Sequence, residues 1–162
     1  RAGEKAKGFQ PITDFINELA KETIDLVETI NEHALSLYQL TVNEHRMSDA
    51  YKKFELVSVL SKGAVYETSL EQPMVIAQQK MIDCRRRFKS NVTQLLDQLA
   101  EVMHPARAAR VIAANSRIEA SQAGEYLQSL QAVAESVDNA AQVIHDNVQR
   151  CRTALSIVDI AE

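Results

Sequence analysis

Histidine and carboxylate side chains are the residues of this sequence that could bind a metal ion or exchange protons. Two of the four His residues, His33 and His45, each end an Asn-Glu-His triplet. Because twelve residues leave two positions about 120° out of phase on an α-helix, these imidazoles do not share a face. One Glu-x-x-His pair occurs, at Glu101 and His104, whereas di-metal bundles use two such pairs and two further Glu residues. We therefore expect structural His residues and no metal or other cofactor.

The cysteines and the basic cluster at 85–89 offer no reactive site either. Cys84 and Cys151 have no Cys-x-x-Cys partner, so we expect reduced thiols that pack as small apolar residues. Three consecutive Arg residues spread over most of a helix circumference, which is typical of a solvated face. The sequence also has no Gly-rich phosphate loop, nucleophile elbow or catalytic pair. These features predict a protein that is not an enzyme.

The composition favours a helical fold. Of the 162 residues, 46% are hydrophobic but only 5% are aromatic, and four Gly and three Pro are too few for many short strands. No apolar run approaches the ~18 residues of a membrane-spanning helix, and no signal peptide is evident. The net charge of −4, without a Lys/Arg stripe, argues against nucleic acid as a partner. We expect an all-α cytoplasmic chain which, starting at Arg1, is a fragment of a longer protein.

Heptad spacing predicts three long helices, at about 10–61, 72–122 and 126–158. Apolar positions in the first and third lines alternate in steps of three and four residues, and those of the second recur at three, four or seven, as in coiled coils and helical bundles. The line in the first helix comprises Leu19, Thr23, Leu26, Ile30, His33, Leu37, Leu40, Glu44, Met47, Tyr51 and Phe54. The second line comprises Met74, Ala77, Met81, Cys84, Phe88, Leu95, Leu99 and Val102. A third line, from Ala106 to Val158, uses mostly Ala and Ser in its first half. We predict a single domain over 1–162, a long antiparallel bundle or coiled coil of three to four helices.

Glycine and proline mark the expected interruptions of these helices. Gly63 is a natural terminator of the first helix. Thr68 with Glu71, or Ser69 with Gln72, can form a capping box for the next helix. Pro105 predicts a kink or a break.

A short motif occurs twice in the chain. Arg-Ala-Gly-Glu at 1–4 recurs as Gln-Ala-Gly-Glu at 122–125. The second copy lies in Asn-Ser-Arg-Ile-Glu-Ala-Ser-Gln-Ala-Gly-Glu at 115–125, and the first continues as Lys-Ala-Lys-Gly-Phe at 5–9. Both copies resemble the hairpin tip of the cytoplasmic signalling domain of methyl-accepting chemotaxis receptors, N-A-A-I-E-A-A-R-A-G-E-x-G-R-G-F. In the second copy, Gln122 replaces the Arg, and Leu127 and Ser129 replace two glycines.

The resemblance implies a fold, a function and partners. In that family, long antiparallel helices turn at the tip, and the tip binds the chemotaxis histidine kinase and its coupling adaptor. The chain would then be a non-enzymatic signal-transduction module in the bacterial cytoplasm, possessing no cofactor and belonging to a larger receptor. The partner-binding residues implied by the two copies are Arg1, Glu4, Phe9, Asn115, Glu119 and Glu125.

The sequence leaves alternatives open for the second copy and for the function. The chain either turns at 123–125 or continues as one helix through Gly124, because a single Gly costs a helix only ~1 kcal/mol. The chain could instead be a structural dimerisation or scaffold bundle that has lost kinase coupling. A third alternative, a helical sensor that binds a ligand or a metal ion, is supported only by the scattered His and Glu residues. We also expect a homodimer, since a bundle short of one helix leaves an apolar groove open.

Overall fold

The fold is all-α, as the sequence predicts. The computed structural model describes residues 10–122 and 124–160. It contains three long helices, α1 (Gln10–Leu60), α2 (Glu71–Ala120) and α3 (Leu127–Ile160). Two short 3₁₀ helices, Glu67–Leu70 and Gly124–Tyr126, precede α2 and α3, and the described residues contain no strand. The likeness to the chemoreceptor bundle stays a prediction.

The heptad lines of the sequence form the buried side of the helices. In α1, Leu19, Leu37 and Leu40 are buried, and the remaining positions of that line are half-buried. The described positions of the α2 and α3 lines are also buried or half-buried, with the exception of Cys151. That thiol is exposed, so the expectation that Cys151 packs in the core is wrong.

Pro105 does not break α2, which is continuous from Glu71 to Ala120. The predicted capping boxes are also absent, because Thr68 and Ser69 lie within the 3₁₀ helix that leads directly into α2. Neither residue therefore has the non-helical backbone that an N-cap requires.

The backbone contacts divide the chain into two compact units, where the sequence predicts one domain. One unit comprises residues 31–95. In it, Arg85 bonds Glu44 (Nη2–Oε1 3.0 Å) and Asn91 donates to the hydroxyl of Ser36 (2.8 Å). In each pair, the two residues lie about equally far before and after residue 64 in the sequence. The two helical segments therefore run side by side in opposite directions. Gly63, with φ of 83°, lies in the turn that joins them.

The other unit contains residues 10–30, 96–122 and 124–160. Small residues dominate its interior, and the buried positions include Ala106, Ala113, Ala120, Ala134 and Ala141. Because alanine side chains are short, the helix backbones can approach one another closely along these positions. The close approach that the Ala-rich first half of the third heptad line predicts stays a prediction.

Candidate functional site

The candidate site lies at the turn between α2 and α3. The last turn of α2 closes with hydrogen bonds from the backbone N–H of Ser121 to the Arg117 carbonyl (3.3 Å) and from that of Gln122 to the Glu119 carbonyl (3.0 Å). Gly124 follows with φ of 60°, a left-handed conformation that costs other residues about 1–2 kcal/mol. The chain therefore turns at Gly124, and the alternative of one straight helix through this residue is wrong.

Three of the sequence-predicted site residues surround this turn. Asn115 and Glu119 lie on α2 and Glu125 lies in the 3₁₀ helix, and all three are exposed. Asn115 and Glu119 are four residues apart, so they share one face of the last turns of α2. The other three, Arg1, Glu4 and Phe9, lie outside the described residues.

Helix electrostatics distinguishes the two carboxylates. Glu125 precedes the first turn of α3, where the positive end of the helix dipole favours a negative charge. Glu119 lies in the last turn of α2, where the dipole disfavours it. The helix dipole therefore does not account for the position of Glu119. The exposed side chains of Asn115, Glu119 and Glu125 can all accept hydrogen bonds.

The carboxylate of Asp138 connects α3 to α2, and it was not identified from the sequence. Asp138 of α3 accepts hydrogen bonds from Arg117 (Nη2–Oδ2 2.9 Å) and Arg110 (Nε–Oδ1 3.2 Å) of α2. The hydrogen bond from Arg117 is the largest influence that lowers the pKa of Asp138, Arg110 adds to it, and the partial loss of water opposes it. The available signal was the spacing of the two Arg residues, since positions seven apart lie on one helix face.

Several other polar side chains form pairs within one helix, whereas the buried atoms Gln98 Oε1 and Ser116 Oγ have no hydrogen-bond partner among the residues that the structure describes. His45 lies 3.5 Å from Asp49 on the same helix, and Arg86 bonds Asp83 at 2.6 Å. Among the described residues, no three His, Cys, Asp or Glu side chains are grouped closely enough to hold a metal ion. The Glu101 and His104 side chains are both exposed.

The membrane and similarity comparisons add no other candidate. Within the described part of the chain, no helix combines the length and the apolar character needed to cross a membrane. The chain matches no family model, no curated protein and no solved structure.

Proposed function

We propose that the chain is a non-enzymatic signal-transduction module of chemoreceptor type, located in the bacterial cytoplasm as part of a larger receptor. Its α2–α3 turn would dock a chemotaxis-type histidine kinase and its coupling adaptor. The observation that carries this proposal is the exposure of Asn115, Glu119 and Glu125 at a turn. These are the residues that match the tip motif of that receptor family.

The proposal also includes the arrangement of the helices, which is a long antiparallel bundle of three to four helices. Two features support it. The segments of the 31–95 unit run in opposite directions about residue 64, and the chain reverses again at Gly124. In such a bundle, a shift in packing along the heptad lines changes the position of the turn. Asp138 would transmit this shift, because its bonds to Arg110 and Arg117 connect α3 to the end of α2.

Binding to the purified coupling adaptor and kinase of the source organism tests the proposal. We expect micromolar affinity, weakened about tenfold by Glu125→Ala, because hydrogen bonds to charged groups contribute about 1.5–3 kcal/mol. Asn115→Ala should weaken binding by a smaller factor. Glu135→Ala and Asn139→Ala are matched controls, since both residues are exposed on α3 away from the turn. Absence of binding by a chain that circular dichroism shows to be helical would refute the proposal.

A structural role as a dimerisation or scaffold bundle is the second candidate. Leu35 and Tyr38, three residues apart on α1, are 58% and 68% exposed. Exposed apolar residues that share a helix face are typical of an interface with another chain. Binding of a second copy without any binding of the kinase or adaptor would favour this role.

A further inference from the structure

An open cavity of about 280 Å³ lies between the helices of the unit formed by residues 10–30, 96–122 and 124–160. All three helices of this unit line it, with Leu19 of α1, Ala106 of α2 and Ala141 of α3 among the lining residues. These three side chains are buried, so the cavity reaches the core of the unit. The cavity is open to solvent, and the lining residues Ala20, Ile24 and Ala140 are exposed.

Short side chains are the reason for this cavity. Five of the twelve lining residues are alanines, which are Ala20, Ala106, Ala109, Ala140 and Ala141. One or two turns earlier on α2, the larger side chains Leu99, Val102 and Met103 are buried. Pro105 also lines the cavity, and its backbone nitrogen carries no hydrogen that could be donated to a carbonyl of the helix.

The lining restricts the chemistry of an occupant. None of the described side chains that line the cavity is titratable, and the lining is aliphatic except for the hydroxyl of Thr23. A charged or strongly polar molecule would lose its hydration there without compensation. The Thr23 hydroxyl donates its proton to the Leu19 carbonyl (Oγ1–O 2.7 Å). Its oxygen can therefore only accept a further hydrogen bond.

We propose that this cavity binds an uncharged, hydrocarbon-like molecule of about ten carbon atoms that carries one hydroxyl group. The size follows from the volume, because an apolar protein cavity of about 150 Å³ holds benzene, with six carbons. The ligand's hydroxyl donates to Thr23 Oγ1, and its hydrocarbon part contacts the alanines. This binding site is separate from the proposed docking turn and does not depend on it.

The test uses 1-decanol as the probe and isothermal titration calorimetry as the measurement. We expect one-to-one binding that Ala140→Leu weakens at least about tenfold, because the larger side chain occupies the cavity. Ala140 is exposed at the rim, so the substitution leaves the core packing intact. Ala132→Leu is the matched control, since Ala132 is an exposed alanine of α3 that does not line the cavity. It should bind 1-decanol like the unaltered chain.

Thr23→Val tests the role of the hydroxyl. The affinity for 1-decanol should fall about threefold to tenfold, the usual net effect of one hydrogen bond. The affinity for n-decane should remain unchanged. No binding of 1-decanol by the folded chain would overturn the proposal. A self-association that Ala140→Leu abolishes, without any binding of 1-decanol, would also overturn it and would assign the cavity to an interface between copies.

Discussion

The half-buried carboxylate of Asp138 accepts hydrogen bonds from two arginines of α2. These bonds favour the ionised form and lower the pKa of the carboxyl below its ordinary value of 3.8. The unfolded chain has the ordinary pKa, so the unfolded state binds the proton more tightly than the folded state does. Ionised Asp138 therefore stabilises the fold above pH 3.8, and this contribution is lost as the pH falls through the lower folded-state pKa.

We expect Asp138→Asn to lower the Tm near neutral pH, because the substitution removes the negative charge between Arg110 and Arg117. The Tm difference from the unaltered chain should shrink as the pH falls below 3.8, where Asp138 itself becomes protonated. Thermal unfolding followed by circular dichroism over a pH series measures this. Asp97→Asn removes an exposed aspartate of α2 and is the control. A Tm difference that stays constant over the whole pH series would contradict this explanation.

At the scale of the helices, stability depends on the heptad lines. Leu99 is 4% exposed and lies in the second line, whereas Leu56 of α1 is 60% exposed. Replacement of a buried Leu by Ala removes transfer free energy and leaves a cavity, which together cost about 2–5 kcal/mol. An exposed Leu contributes much less, because water already surrounds it.

We therefore expect Leu99→Ala to lower the free energy of unfolding by about 2–5 kcal/mol, and Leu56→Ala to lower it by less than about 1 kcal/mol. Urea denaturation of both variants measures the difference. Equal losses for the two variants would show that the heptad line does not form the core.

The sequence was sufficient to predict the helices, because the heptad period is a local property of the chain. The α1 line predicted from spacing alone is the buried side of α1 along its length. The turn at Gly124 was not decided by the same reasoning, because the three–four spacing continues without a slip across it. The bonds of Asp138 to Arg110 and Arg117 depend on the register between α2 and α3, which that turn sets. The cavity likewise requires three helices to be placed together, which heptads alone do not specify.

At the scale of the whole molecule, the exposed apolar side chains favour association with a second copy of the chain. The 31–95 unit pairs only two helical segments, and its buried apolar residues include Leu37, Leu40 and Val92. Two helices cover only one side of each other. Large apolar side chains consequently stay exposed, and those of this unit include Leu35, Tyr38, Leu60, Val65, Tyr66, Val75 and Ile82. A second copy would remove such residues from water at a gain of about 25 cal/mol per Å².

We expect a homodimer in which Leu35 and Tyr38 contact the second copy. Light scattering should give twice the chain mass of 18.1 kDa. The double variant Leu35→Lys/Tyr38→Lys should shift the mass towards the monomer, because two like charges would face their copies across the interface. Ile118→Lys places the same charge at an apolar position of α2 that is similarly exposed but lies outside the 31–95 unit, so it should leave the dimer intact. A mass of 18.1 kDa at high concentration would contradict the prediction, and equal dissociation of both variants would assign the interface to another surface.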